Sequence, residues 1–112
     1  MKKERKKILV TSALPYANGP IHIGHIAGAY LPADIFVRFC KMKKRDVVYI
    51  CGTDEHGVPI TITAEKENVT PQQIVDKYHK IIKEAFLKLG IEFDNFSRTS
   101  LEIHHKTSQD FF

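Results

Sequence analysis

Only two cysteines occur in the 112 residues, no apolar run approaches membrane-spanning length, and no repeat or low-complexity tract is present. Cys40 and Cys51 are too few for a disulfide framework and too far apart for a metal knuckle. Each sits among apolar neighbours, so both are expected as buried small hydrophobes in a reducing, cytoplasmic setting. The first apolar stretch, Ile8 to Val10, is far too short for a signal peptide or a transmembrane helix, which argues against a membrane partner. Hydrophobic residues make up 43% and charged ones 27%, the balance of a soluble chain that folds around a core of about one domain. Much of the net charge of +4 lies in residues 1–7, read as a solvated, flexible basic terminus in preference to an RNA contact.

Along residues 8–112 the apolar pattern alternates between strand and helix. Ile8 to Leu14 is a short β-branched run that reads as a strand buried on both faces and stops at Pro15. Pro15 to Pro20 encloses Asn18-Gly19 between prolines, the mark of a loop. Ile26, Tyr30, Ala33, Val37 and Cys40 then recur at helical spacing, which predicts a helix from His22 to Lys43 with a missing backbone bond at Pro32. Val47 to Cys51, closed by Gly52, reads as a second buried strand; strand, helix, strand implies a parallel βαβ unit. A short helix is expected over Gly57 to Glu67. Thr70, Pro71 and Gln73 then form a capping-box start for a helix that ends at Gly90, with Ile74, Tyr78, Ile81, Ile82, Ala85 and Leu89 on its buried side. A short strand near Arg98 and a last helix from about Leu101 to Phe112 complete the reading. The fold class is α/β, with parallel strands and flanking helices.

Two segments carry chemistry. His22-Ile23-Gly24-His25 opens the first helix directly after a strand and loop, where unpaired backbone N–H groups favour phosphates. Gly24 lets a flat ligand approach the backbone, and His22 and His25 lie three apart on one helical turn, so both rings face one side. Two imidazoles there can donate to phosphoryl oxygens as charge develops. A zinc pair is the weaker alternative, because no third ligand stands in the same loop. The second segment, Cys51 to Pro59, follows the second strand and should lie beside the first loop. Asp54 there could hold a substrate ammonium group; taken alone, the segment reads better as a cap for the next helix, with Asp54 or Thr53 as N-cap. His56 is a further candidate, while His79, His104 and His105 read as structural or solvated histidines.

Pro15-Tyr16-Ala17-Asn18-Gly19-Pro20-Ile21-His22-Ile23-Gly24-His25 resembles the HIGH signature of class I aminoacyl-tRNA synthetases. Gly52-Thr53-Asp54-Glu55-His56-Gly57 resembles the methionyl branch, whereas its isoleucine, valine and leucine sisters usually show a tryptophan before the aspartate. The resemblance runs from about Lys7 to Phe112. It implies the first half of a Rossmann-like class I nucleotide-binding fold. It also implies catalytic roles for His22 and His25, with ATP bound by Tyr16, Asn18, Gly19, His22, Gly24 and His25. Methionine would be held by Ala13, Leu14, Tyr16 and Asp54, with His56 nearby.

The same resemblance implies activation of methionine by ATP with Mg, and transfer to tRNA(Met) in a full-length enzyme. Zinc is expected only in a connective insertion that begins about where this sequence stops, and no metal ligand is expected among residues 1–112. A Lys-Met-Ser-Lys-Ser loop is absent, and Lys41-Met42-Lys43-Lys44 stands at a helix end in the wrong half. The expectation is therefore a truncated catalytic domain, inactive alone, with uncovered apolar faces that favour self-association. The competing readings are a small HxGH nucleotidyltransferase, whose usual Gly-x-Phe-Asp-Pro segment is missing, and a non-catalytic nucleotide-binding module.

Overall fold

The apolar runs do form strands, and the periodic segments between them do form helices. The computed structural model describes residues 6–112, so residues 1–5 of the expected basic terminus lie outside the described residues. Strands β1 (Ile8–Thr11), β2 (Val47–Thr53) and β3 (Asn95–Arg98) make one parallel sheet in the order β1-β2-β3. Between β1 and β2 run α1 (Ile23–His25), a π-helical turn (Ile26–Tyr30) and α2 (Leu31–Met42). Between β2 and β3 run α3 (Val58–Glu67) and α4 (Pro71–Lys88), and α5 (Glu102–Phe111) follows β3.

Two successive crossovers of the usual right hand, stepping in the same direction, put their helices on the same face of the sheet. Tyr49 of β2 accordingly shares one buried cluster with Val37 and Cys40 of α2 and Ile82 and Phe86 of α4. Among the described residues nothing covers the outer face at Leu9 and Val48. Leu9, opposite Val48 in register, is 65% exposed and Val48 is 42% exposed. The expectation of strands buried on both faces is thus corrected, and β1 ends at Thr11 instead of Leu14.

The long helix also departs from the regular α form. Pro32 has no N–H to give and its ring would crowd the carbonyl four residues back. The chain answers one turn earlier: Leu31 N–H reaches Ile26 O, five residues back, and the helix widens before the proline. Tyr30 in that turn, and Val37 and Cys40 beyond the proline, are buried as their spacing predicts.

On α4 the predicted stripe is displaced. Ile74, Val75, Ile82 and Phe86 are buried, while Ile81 and Leu89 are exposed. Phe86 is the centre of that face, edge-on to Tyr30 at 4.7 Å and to Phe93 at 5.2 Å. Burying such a ring contributes about 1.5–3 kcal/mol before aromatic pairing is added. The start of α4 follows its sequence: Gln73 N–H donates to Thr70 Oγ1 and Thr70 N–H to Gln73 Oε1. A second buried cluster joins Ala17 of the first loop to Ile60, Ala64, Ile74 and Val75, so α3 and α4 seat that loop from below.

Candidate active site

The first loop and the segment after β2 are sewn together beyond the carboxyl ends of the strands. Asp54 N–H donates to Pro15 O at 2.9 Å and Ala17 N–H donates to Asp54 O at 2.9 Å, a parallel bridge between Tyr16 and Asp54. This is where open α/β sheets gather ligands. Two glycines allow the approach. A Cβ on Gly52 would stand 2.6 Å from Ser97 O and 3.3 Å from Leu14 Cδ2, so Leu14 lies against a bare backbone. Gly57 holds φ at +128°, a region that other residues rarely enter, with the Tyr16 ring beside it. Leu14 and Tyr16 keep about half of their surface open, at 48% and 51%, and Ala13 is exposed between them and β1.

The two histidines do more than face one way. Gly24 N–H donates to His22 Nδ1 at 3.1 Å, and His22 N–H donates to His25 Nδ1 at 3.1 Å. The pair is a capping box built of imidazoles, with the rings stacked at 3.7 Å between centroids and 22° between planes. A backbone N–H can only donate, so each Nδ1 presents a lone pair, and in the neutral ring the proton sits on Nε2. Both rings are exposed. The corner therefore offers two Nε2–H donors, each fixed by the bond its other nitrogen accepts. Gly24 has a reason of its own here: an added Cβ would stand 3.0 Å from His22 Cε1. Beside this corner, Tyr16, Asn18, Gly19 and His25 wall a cavity of about 190 Å³. Leu14 and Cys51 line another of about 170 Å³.

Asp54 is half-exposed, and its Oδ1 accepts His56 N–H at 3.3 Å. The capping alternative for Asp54 and Thr53 is not adopted, because α3 is capped by Gly57 with no side-chain bond. His56 is exposed, with Nε2 3.3 Å from Thr99 O and 3.5 Å from His105 Nε2. The carbonyl can only accept, so His56 carries its proton on Nε2 and donates it to Thr99 O. His105 thus meets a candidate site residue, which its reading as a solvated histidine did not foresee. His79 is structural as expected: half-buried on α4, with Nδ1 2.8 Å from Thr53 Oγ1. Its pKa is lowered, chiefly by burial and then by the charge of Arg98.

Two further groups support the loops. Tyr30 donates its hydroxyl to Ala13 O at 2.7 Å, and the Ser12 and Tyr49 hydroxyls lie 2.8 Å apart. The π-helical turn delivers Tyr30 to that position, and burial pushes its pKa up to about 12. Cys51 lies under the same segment with its thiol pushed up to about 11 by burial, as befits an inert core cysteine. Beneath Asp54, Glu55 is fully buried and bonded to Thr53, Arg98 and Ser100. Sequence reasoning passed over these tyrosines and this glutamate. The only available signal was that a tyrosine on the core side of a helix or strand needs a partner for its hydroxyl. Among the described residues no three His, Cys, Asp or Glu side chains gather as metal ligands. No described helix is long and apolar enough to cross a membrane.

Residues 8–112 match the family model described as tRNA synthetases class I (M). The chain is 61% identical over 112 residues to the methionine–tRNA ligase of Bacteroides fragilis, covering all of this chain and 16% of that relative. Its structure matches the Mycobacterium tuberculosis methionyl-tRNA synthetase bound by methionyl-adenylate with a TM-score of 0.89 at 31% identity, over 94% of this chain and 21% of that one. The LeuRS of Agrobacterium radiobacter K84, in a ternary complex with tRNA and LeuAMS, gives a TM-score of 0.89 at 25% identity, over 99% of this chain and 14% of that one. The Rossmann-like class I catalytic fold is therefore shared, and this chain belongs to the family of class I tRNA synthetases that the model tRNA synthetases class I (M) describes.

Proposed function

We propose that this chain supplies the amino-acid and nucleotide corner of a methionine–tRNA ligase. The observation that carries the reading is the bridge between Tyr16 and Asp54, which sets a half-exposed carboxylate beside the loop that leads into the paired imidazoles. In the reaction, a methionine carboxylate oxygen attacks the α-phosphorus of ATP in line and pyrophosphate leaves, giving methionyl-adenylate. The aminoacyl group then passes to tRNA(Met). Asp54 binds the α-ammonium group by a charge-assisted hydrogen bond. Ala13, Leu14 and Tyr16 meet the side chain, where an apolar edge and an aromatic ring suit a thioether, and His56 borders the site. Tyr16, Asn18, Gly19 and Gly24 receive the nucleotide.

His22 and His25 donate Nε2–H to the phosphoryl oxygens as charge builds on them, and one such donor contributes roughly 3–4 kcal/mol in the transition state. Mg arrives with the triphosphate as part of the substrate. Zinc is assigned to none of these residues and would belong to another part of a longer chain, and the proposed setting is the cytoplasm. The test is methionine-dependent ATP–pyrophosphate exchange in a chain of the relatives' full length carrying these 112 residues. Exchange that requires methionine and is lost in the double variant His22→Ala, His25→Ala supports the reading. Exchange that survives the double substitution overturns the histidine roles, and exchange indifferent to methionine overturns the substrate.

A further inference from the structure

We propose that Glu55 is a positioning residue for the methionine site, fixing through Arg98 and Ser100 the direction in which Asp54 presents its carboxylate; this rests on the function proposed above. Asp54 and Glu55 are consecutive at the end of β2 and have opposite fates. Asp54 is half-exposed beside the first loop, whereas the Glu55 side chain is 0% exposed. Its Oε1 accepts from Thr53 Oγ1 at 2.9 Å and from Arg98 Nε at 2.7 Å, and its Oε2 accepts from the Ser100 hydroxyl. Its own N–H donates to Thr99 Oγ1 at 2.8 Å. The peptide between Asp54 and Glu55 is thereby gripped from both sides: Pro15 and Ala17 bond the backbone of Asp54, and Thr99 bonds the N–H of Glu55.

The grip extends to α4. Arg98 Nη2 bonds Asp76 at 2.5 Å, and the Thr53 hydroxyl, which donates to Glu55, must accept from His79 Nδ1–H. Stability alone is a poor reason for such a group. Desolvating a carboxylate and a guanidinium offsets most of their attraction, and apolar residues of similar volume often serve a core as well or better. What the ion pair adds is direction. Arg98 and Ser100 fix both carboxylate oxygens, so the Glu55 backbone has one orientation, and Asp54, one residue earlier, inherits it. The Asp54 Oδ1 bond to His56 N–H completes the turn that aims the carboxylate.

The experiment measures exchange kinetics against methionine and against ATP separately, in the full-length chain described above. Ser100→Ala removes one donor, Arg98→Lys loses the Nε bond, and Glu55→Gln removes the charge. Each is expected to raise KM for methionine about tenfold, the equivalent of ~1.4 kcal/mol, with KM for ATP changed by less than about twofold. Ile82→Val serves as a control, since it destabilises the α4 core away from the loop. If Ile82→Val at an equal loss of Tm raises KM for methionine as much, or if the substitutions change both KM values alike, Glu55 is merely structural and the proposal falls. Should Glu55→Gln fail to fold, Ser100→Ala and Arg98→Lys decide the matter. Absence of exchange in the unsubstituted protein overturns the proposed function and this inference together; exchange with an unchanged methionine KM in both milder variants overturns this inference alone.

Discussion

His22 has two separable duties, and three substitutions at that position pull them apart. Its Nδ1 caps Gly24 N–H at 3.1 Å, and its Nε2–H is the donor assigned to the triphosphate. Asparagine places Oδ1 where Nδ1 stood, so His22→Asn keeps the cap but has nothing at the Nε2 position. Glutamine reaches the Nε2 position with an N–H but gives up the cap. Alanine loses both. Replacing a good N-cap by Ala costs about 1 kcal/mol, and in a domain of this size that lowers Tm by roughly 4–8 °C.

Melting of the present chain should therefore order the variants as wild type, close to Asn, then Gln and Ala together. Exchange activity in the longer chain should order them differently. Asn and Ala should both lose about 10²–10³ in rate, the cost of one lost transition-state donor, while Gln retains part of it. Full activity in His22→Asn would refute the Nε2–H role. An unchanged melting point in His22→Ala would refute the capping box, and with it the argument that fixes the proton on Nε2.

The sheet and the buried network give two more tests. Gly52→Ala would push a Cβ to 2.6 Å from Ser97 O, so the β2–β3 pairing must part, at a cost of about 1–3 kcal/mol in urea unfolding; an equally stable variant would refute the close approach. The lowered pKa of His79 means that the unfolded chain binds its proton more readily. This group's share of stability is full above its ordinary value near 6.5 and is lost as pH falls below it. His79→Asn, which keeps a donor toward Thr53, should therefore flatten the stability–pH curve between pH 6.5 and about 5, above the carboxylate range. A slope equal to wild type would show that His79 is not the group responsible.

What the sequence made legible is local in the chain. The paired histidines at the helix start, the capping box at Thr70 and Gln73, and the proline inside the long helix all declare themselves within a few residues. What it hid is contact across the chain. Glu55 meets Arg98 and Ser100 across 43 and 45 positions, and no periodicity announces that pairing. The exposure of the outer face was hidden for a different reason. Leu9 and Val48 are as apolar as residues buried on both sides, and only the common direction of the two crossovers leaves them open. The helix around Pro32 shows a third limit: the sequence locates the disturbance, but the choice between a kink and a widened turn depends on where Tyr30 must reach.

The pair Asp54-Glu55 shows how a fold assigns chemistry to residues that look alike. Both are carboxylates, adjacent, at the end of one strand, and composition gives no reason to prefer either as the substrate ligand. Strand alternation decides between them. Thr53 and Glu55 turn inward, and the bridge from Asp54 to Tyr16 carries the extended geometry past the last residue of β2. Glu55 then meets its donors and has no lone pair directed at solvent, which suits a brace and disqualifies it as a ligand. Asp54 receives one 3.3 Å bond from its own turn and stays half-exposed. A carboxylate so lightly bonded keeps acceptor capacity for a substrate ammonium group. The proposed ligand is the acid that the fold leaves least satisfied, and the residue that keeps it so is its neighbour.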